Sequence, residues 1–305
     1  MVLEFYPDAQ VVTNAKCRDL LIALLHIPEE RFMVVAEGET LSLGDRTLRF
    51  LITPWTHWPE TQLTFLAEDR ILFSCDLFGF HAATSDLFIS DEAWAYRSAK
   101  RYYAEIMMPF RGSIKGYVER VRELDPAIIA PSHGPVNKNP KFILDSYADW
   151  TSDSVRNEVV IPYVSMHGST AKMVDHLTGA LISSGVRVKP FNLTHTDIGE
   201  LAFALVDAAT VVIATPTVLF GPHPTVVSAT YLTNALRPKT RFAAVIGSYG
   251  WGGKTADTIT KMLDHVKVEV MPPVMVLGEP DEATMQALDR LADEILKKHK
   301  ELNIV

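Results

Sequence analysis

The feature that most constrains the fold is a regular alternation of apolar runs and helical segments in the second half of the chain. Five runs rich in Val, Ile, Ala and Phe, each separated from the next by a helical segment, cover residues 159–164, 186–191, 209–214, 242–246 and 268–276. Parallel strands need crossover helices that cover both faces of their sheet, so this order predicts a doubly wound parallel five-stranded sheet. The last helix carries an apolar face formed by Met285, Leu288, Leu291 and Ile295. We therefore predict an α/β domain over 157–305.

The first half has a different pattern of apolar and turn-forming residues. Its β-type runs are short and are separated by turn-forming Gly and Asp residues, at 33–36, 47–52, 61–66 and 71–75. Two helical stretches and a further short run follow, at 92–108, 114–123 and 127–130. Short strands joined by tight turns and followed by helices indicate an α+β domain over 1–150, and a chain of 305 residues has room for two domains.

Composition and charge exclude several classes of function. The 29 basic and 37 acidic residues give a net charge of −8, whereas a general nucleic-acid or anionic-membrane binder would be basic. The densest apolar stretch near the start, 20–27, is far shorter than the roughly 20 residues that span a bilayer, and no secretory signal precedes it. Cys17 and Cys75 are too few for a disulfide scaffold. We expect a cytoplasmic protein with no nucleic-acid or membrane partner.

The strongest chemical signal is the loop 164–170, directly after the first strand of the predicted sheet. It places Ser165, Gly168, Ser169 and Thr170 before an amphipathic helix. Backbone N–H groups and the positive end of the helix dipole favour an anion there, and the hydroxyls add donors. An ordinary N-capped helix is the alternative interpretation. The spacing matches neither the nucleoside triphosphate loop nor the dinucleotide loop, so it favours a phosphate monoester.

Two more loops follow later strands of the same sheet, at 215–222 and 247–253. They lie at the carboxyl ends of their strands, where open α/β sheets bind ligands. Their glycines let backbone amides approach the edge of a flat ring, and Tyr249 or Trp251 could cover its face. Each loop alone could be a plain turn. Three such loops at one edge together predict a ligand site.

Three short segments of the first half carry side chains that ligate metals. They contain His57, Asp76 and His133, each placed where an apolar run ends, so all three could converge at one edge of a β-sandwich. Imidazole nitrogens with a carboxylate suit iron or zinc. From the residues alone, the more common interpretations are hydrogen-bonded structural histidines and an aspartate turn.

The second half resembles a flavodoxin domain. Its S-M-x-G-S-T loop, together with G-S-Y-G-W-G-G, is similar to the flavodoxin-like half of the flavodiiron proteins, or A-type flavoproteins. The resemblance implies FMN, with its phosphate in the first loop and its isoalloxazine flanked by the other two. The implied cofactor-binding residues are Ser165, Met166, His167, Gly168, Ser169, Thr170, Pro216, Thr217, Val218, Leu219, Gly221, Ser248, Tyr249, Gly250, Trp251, Gly252 and Gly253. Leu219 and Phe220 stand where family members commonly carry polar residues such as Asn, which predicts an apolar wall beside the ring.

The first-half segments T-P-x-x-H-W-P, F-S-C-D-x-F-G and P-S-H-G-P match later ligand motifs of the metallo-β-lactamase-like domain of flavodiiron proteins. By this resemblance His57 would serve one iron, Asp76 would bridge two irons and His133 would serve the other. The family's earlier H-x-E-x-D-H motif does not occur in the sequence, which implies that the chain starts inside the first domain, as a partial sandwich. His81 is a candidate substitute ligand. A separate chain supplying the missing N-terminal ligands would restore both the sandwich and the metal site.

The resemblance also implies an activity. A flavodiiron-type oxidoreductase passes electrons from FMN to a non-haem di-iron site that reduces O₂ to water, or NO to N₂O. It would need an electron-donor protein or a reduced cofactor as partner, and a head-to-tail homodimer that places the flavin of one subunit against the metals of the other. The complete flavin loops beside an incomplete ligand set leave a second hypothesis open, an FMN-binding electron-transfer protein or subunit. A metal-dependent hydrolase is a third.

Overall fold

A computed structural model describes residues 2–305 of the chain, which divide into two compact units. The first unit extends to Ser152, and the second runs from Asp153 to Val305. No helix within the described range 2–305 combines the length and the apolar character that crossing a bilayer requires.

The first unit contains seven short strands in two separate sheets. The strands are β1 (Val11–Thr13), β2 (Phe32–Val34), β3 (Thr40–Ser42), β4 (Thr47–Ile52), β5 (Gln62–Leu66), β6 (Ile71–Phe73) and β7 (Ile128–Ala130). Strands β1 and β2 form a parallel pair, and the other five form a sheet in the order β3-β4-β5-β6-β7. Every pairing in the larger sheet is antiparallel except β6 with β7. The 33–36, 47–52, 61–66, 71–75 and 127–130 runs therefore each contain or overlap an observed strand.

Five helices complete the first unit: α1 (Val2–Phe5), α2 (Ala15–Leu25), α3 (Glu92–Tyr102), α4 (Arg111–Leu124) and α5 (Pro140–Thr151). The predicted single helix over 92–108 is interrupted, because α3 gives way to a π-helical turn and then a 3₁₀ turn that contains Pro109, which has no N–H to donate. The side chains of Tyr103, Tyr147 and Trp150 are fully buried, with ring centroids 5.1–5.5 Å apart. These aromatic rings form the core beneath α3 and α5.

The second unit is built on a parallel sheet. Its strands are β8 (Arg156–Tyr163), β9 (Arg187–Asn192), β10 (Ala208–Val218), β11 (Gly221–Pro222), β12 (Phe242–Tyr249), β13 (Glu269–Val270) and β14 (Val274–Leu277). The order is β13-β12-β10-β8-β9, with β14 also paired to β12 and β11 folded back on β10 as a hairpin. The fifth predicted strand, 268–276, is divided into β13 and β14, because Pro272 and Pro273 cannot donate to a neighbouring strand.

Helices α6 (Ser169–Ser183), α7 (Ile198–Leu205), α8 (Pro224–Leu236), α9 (Thr255–Met262) and α10 (Glu282–Glu301) connect and follow these strands. The predicted apolar face of α10 packs into a core cluster shared with α6, and Leu288 and Ile295 are fully buried there. The α/β prediction for this half is confirmed. Because β8, β10 and β12 run in parallel, their carboxyl ends meet at one edge of the sheet.

One buried histidine ties α10 to the sheet of the second unit. The His299 side chain is fully buried, with Nε2 2.7 Å from the Thr210 hydroxyl and Nδ1 2.8 Å from the Asn157 side-chain oxygen. Burial lowers the pKa of His299 from 6.5 to about 4. The folded protein therefore holds this imidazole neutral at neutral pH, because protonation would place a charge in the core.

This pKa predicts a loss of stability in mild acid. Below pH 6.5 the unfolded chain takes up a proton at His299, whereas the folded chain does so only near pH 4, so the free energy of unfolding should fall by roughly 2 kcal/mol between pH 7 and pH 5 from this group. The variant His299→Gln should lose that part of the pH dependence, and the exposed-site control His265→Gln should keep it. Chemical denaturation at the two pH values measures the difference. An equal loss in all three proteins would contradict the assignment.

Candidate functional site

A cavity of about 540 Å³ lies in the second unit, at the edge where β8, β10 and β12 end. This volume lies within the roughly 300–1,000 Å³ that small-molecule and cofactor sites occupy. The lining residues come from four loops and are Ser165, Met166, His167, Ser169, Thr170, Pro216, Thr217, Val218, Leu219, Ser248, Tyr249, Gly250, Trp251, Gly278 and Glu279. The edge of the sheet therefore carries a site of cofactor size.

The amino end of α6 forms one wall of this cavity. Gly168 precedes the helix with a φ of +92°, and it contributes no side chain to cap the first turn. The Ala171 N–H donates to the Ser165 hydroxyl at 3.2 Å. Thr170 is buried, and its hydroxyl lies 3.4 Å from that of Ser248, which joins the first loop to the third. First-turn amides, the helix dipole and these hydroxyls together create a binding site for an anion.

The second loop is a tight hairpin between β10 and β11. Leu219 and Phe220 occupy its two central positions with φ values of +49° and +66°, as a two-residue hairpin turn requires, although Asn and Gly are the usual residues there. Leu219 lines the cavity, yet its side chain is 85% exposed. Leu219 and Phe220, the expected apolar wall, therefore lie largely open to solvent within the described unit.

Glycines bring the third loop against this hairpin. A Cβ atom on Gly253 would lie 2.8 Å from the Phe220 carbonyl oxygen, and one on Gly247 would lie only 1.9 Å from the Thr215 carbonyl oxygen. The Lys254 N–H donates to the Phe220 carbonyl at 3.3 Å. Only glycine allows these approaches, so the two loops that follow β10 and β12 are fixed relative to each other.

Most of the predicted cofactor-binding residues meet at the cavity, but four do not line it. Gly168 and Gly221 shape the backbone of their loops, while Gly252 and Gly253 line an adjoining hollow of about 310 Å³ beside Thr217 and Tyr249.

Two lining residues, Gly278 and Glu279, were missed by the sequence analysis. They directly follow β14, and Glu279 forms an ion pair with Lys172 of α6. Like the other lining loops, they follow the carboxyl end of a strand, where open α/β sheets bind ligands.

The residues of this cavity fit FMN. Amides and hydroxyls at α6 suit a phosphate monoester, and the third loop supplies the aromatic side chains Tyr249 and Trp251 for a flat ring. The cavity is also large enough for a ligand of that size.

The three metal-type residues of the first unit also converge. The Nε2 atoms of His57 and His133 lie 3.3 Å from the two different carboxylate oxygens of Asp76, Oδ2 and Oδ1 respectively. All three side chains are partly exposed. One carboxylate flanked by an imidazole at each oxygen is the arrangement expected when a carboxylate bridges two metal ions.

Backbone hydrogen bonds hold the loops that carry Asp76 and His133. The Ser132 N–H donates to the Cys75 carbonyl at 2.7 Å, and the Phe80 N–H donates to the His133 carbonyl at 3.2 Å. Gly79 makes this approach possible, because a Cβ atom there would lie 2.8 Å from the His133 carbonyl oxygen. The two loops are therefore positioned as one rigid pair.

The rings of His81 and Tyr102 lie beside the cluster of His57, Asp76 and His133. The ring of His81 lies 5.4 Å from that of His133 and 4.8 Å from that of Tyr102, measured between centroids. Burial, together with the Asp76 carboxylate, raises the pKa of Tyr102, so its phenol stays protonated at neutral pH. His81 thus lies at the side of His133, where it packs against an aromatic ring.

The donor set does not amount to a complete metal centre. Within residues 2–305, no group of three or more His, Cys, Asp or Glu side chains could hold a metal ion. Each of the two metal positions implied by Asp76 would receive one imidazole and one carboxylate oxygen, fewer than the three or four protein ligands that metal sites commonly use. The described residues therefore fit one side of a di-iron site and leave the other side open.

The chain is similar to known proteins across both units. A family model described as "ODP family beta lactamase" matches residues 1–134. The chain is 33% identical over 275 residues to a nitric oxide reductase from Moorella thermoacetica, covering 88% of this chain and 69% of that protein. It is 34% identical over 278 residues to a type A flavoprotein from Rhodobacter capsulatus, covering 88% and 64%. The structure of rubredoxin oxygen:oxidoreductase from Desulfovibrio gigas matches with a TM-score of 0.92 and 27% identity, over 96% of this chain and 75% of that chain.

These findings define a class of flavoprotein that joins a metallo-β-lactamase-like domain to a flavodoxin-like domain. The chain belongs to the flavodiiron protein family, the A-type flavoproteins. The resemblance seen in the loop motifs of both halves is confirmed.

Proposed function

We propose that this chain is an FMN-dependent oxidoreductase of the flavodiiron type. Residues 157–305 form the FMN-binding domain, and residues 1–150 form the metallo-β-lactamase-like portion. Bound FMN would supply electrons, and a non-haem di-iron site would supply the chemistry that reduces O₂ to water or NO to N₂O. The cavity at the amino end of α6 is the observation that carries this function, because its donors suit a flavin phosphate.

The chain's own residues hold the cofactor in two ways. The Ser165, Ser169 and Thr170 hydroxyls and the first-turn amides of α6 bind the phosphate, while the loops 216–221 and 248–253 flank the ring. Bound FMN supplies one- and two-electron chemistry. Thr170 also reaches Ser248, so the phosphate loop and a ring loop are positioned by the same side chain.

On the metal side, His57, Asp76 and His133 contribute ligands to the di-iron site. The two distances of 3.3 Å, from the Nε2 atoms of His57 and His133 to the two carboxylate oxygens of Asp76, support this assignment. Further donors must join them, because the described part of the chain provides no complete set.

The electron donor is a protein or a reduced cofactor; the similar Desulfovibrio gigas protein is a rubredoxin oxygen:oxidoreductase, so its name indicates a protein donor. We place the protein in the cytoplasm as a head-to-tail homodimer. Met166, Phe220 and Trp251 are exposed apolar side chains of the flavin-site loops, and a partner subunit would cover them. Both cysteines are free thiols, as a reducing compartment favours.

An FMN-binding electron-transfer protein or subunit is the second candidate. The incomplete donor set around Asp76 favours it, whereas the flavin cavity suits both candidates equally.

Iron and flavin quantification separates the two candidates. We expect about one FMN per chain in either case, because the cavity has the size of a cofactor site. About two irons per chain, with O₂ or NO consumption that is lost when the iron is removed, would establish the reductase. A yellow, iron-free protein that consumes neither gas, even with added donors, would contradict it and leave the carrier.

The phosphate loop can be tested by removing its hydroxyls. The double variant Ser169→Ala/Thr170→Ala should bind FMN more weakly by roughly 2 kcal/mol, or about thirtyfold in Kd, because charge-assisted hydrogen bonds are lost. Titration of the deflavinated protein with FMN measures this change. The control Ser183→Ala/Ser184→Ala removes two hydroxyls from the other end of α6 and should leave the Kd unchanged. Equal affinity in the loop variant would refute the phosphate assignment.

A further inference from the structure

The flavin cavity contains an acidic residue close to its phosphate loop. Among residues 2–305, those that line the cavity include no lysine or arginine, and Glu279 is the one carboxylate. The hydroxyl residues Ser165, Ser169 and Thr170 of the phosphate loop line the same cavity. Because like charges repel, a carboxylate beside a bound phosphate weakens binding unless a cation neutralises it. The charge balance at Glu279 therefore affects which ligands this cavity prefers.

The backbone on both sides of Glu279 is fixed by hydrogen bonds. Gly278 directly follows β14, and its N–H donates to the Tyr249 carbonyl of the third flavin loop at 2.8 Å. On the other side, Asp281 caps α10 by accepting from the Thr284 N–H at 2.9 Å. The short loop between β14 and α10 is thus held at both ends, and this keeps Glu279 at the wall of the cavity.

Lys172 of α6 is the cation that pairs with Glu279. It is the fourth residue of the helix that begins at Ser169, and its ammonium group donates to the Glu279 carboxylate. Helix side chains lean toward the amino end, so this ion pair lies beside the first turn of α6. The hydrogen bond from Lys172 lowers the pKa of Glu279, so the carboxylate is ionised at neutral pH. The two side chains are 56% and 68% exposed, which places the pair at the rim of the cavity.

The two charges of this pair have opposite effects on a phosphate. Alone, the Lys172 ammonium would attract the phosphate, and the Glu279 carboxylate would repel it. Joined, they add no net charge to the amino end of α6, where backbone amides and hydroxyls are the donors. Riboflavin is uncharged and lacks the phosphate. Either charge left alone would therefore change the affinity for FMN and leave the affinity for riboflavin nearly unchanged.

We propose that Glu279 and Lys172 are specificity-determining residues, which set how strongly the cavity prefers a flavin that carries a phosphate over one without it. Lys172 acts by neutralising Glu279 and is not itself a phosphate ligand. This inference rests on the proposed function, because it requires that the cavity binds FMN. The loop after β14 thereby takes part in ligand choice alongside the three flavin loops.

Flavin titrations of the deflavinated full chain and its charge variants test this role. Glu279→Gln removes the carboxylate, Lys172→Met removes the ammonium, and the double variant removes both. The matched control is Glu269→Gln, which removes an exposed carboxylate that pairs with Lys298. Glu269 lies beside Phe242 at the start of β12, so it is at the opposite edge of the sheet from the cavity. The Kd for FMN and the Kd for riboflavin are measured by flavin fluorescence, at low and at high salt.

We expect the preference for FMN, the riboflavin Kd divided by the FMN Kd, to rise about threefold or more in Glu279→Gln. It should fall about threefold or more in Lys172→Met, because the carboxylate is then left unpaired beside the phosphate. The double variant should return to within about twofold of the wild type, and Glu269→Gln should match the wild type. High salt should reduce each change, since both side chains are exposed.

A double variant that binds FMN as weakly as Lys172→Met would overturn the proposal, because Lys172 would then contact the phosphate directly. The same FMN preference in wild type, Glu279→Gln and Lys172→Met would also overturn it. Failure of the proposed function gives a different result. The wild-type protein would then bind neither flavin, and both proposals would fall together.

Discussion

Anion binding at the amino end of α6 is the interaction on which the flavin site depends. The first-turn amides of α6 have no partner further back in the helix; the Ala171 N–H donates to the Ser165 hydroxyl, and Gly168 brings no capping side chain to the Ser169 and Thr170 amides, which can therefore face an anion. This geometry exists because β8 delivers the chain to the sheet edge, where the loops after β10 and β12 also end. Gly247 and Gly253 then allow those two loops to approach closely enough to enclose a cofactor-sized cavity.

The two units differ in how complete their sites are. In the second unit, four loops of the same domain line the cavity. In the first unit, rigidly paired loops position Asp76 and His133, and His57 completes a symmetric arrangement around one carboxylate. Hydrogen bonds and a close glycine contact hold the loops of Asp76 and His133 together. Among the described residues the cluster has fewer donors than a complete metal site uses.

Much of this could be predicted from the sequence, and the exceptions have physical causes. The parallel sheet follows from long apolar runs with helices between them, and the α10 face follows from the spacing of Leu288 and Ile295. The sequence analysis did not predict the break between β13 and β14, although Pro272 and Pro273 indicate it. It also did not predict the cavity residues that follow β14. Convergence of His57, Asp76 and His133 depends on long-range pairing; their positions at the ends of apolar runs allow it, and the family resemblance favours it.

The most direct test compares FMN with riboflavin, which lacks the phosphate. If α6 binds that phosphate through amides, hydroxyls and its dipole, the deflavinated protein should bind FMN about a hundredfold or more tighter than riboflavin, as several charge-assisted hydrogen bonds imply. The preference should persist in protein without iron, because the metal cluster takes no part in it. Equal affinities for the two flavins, or no binding of either, would contradict the account.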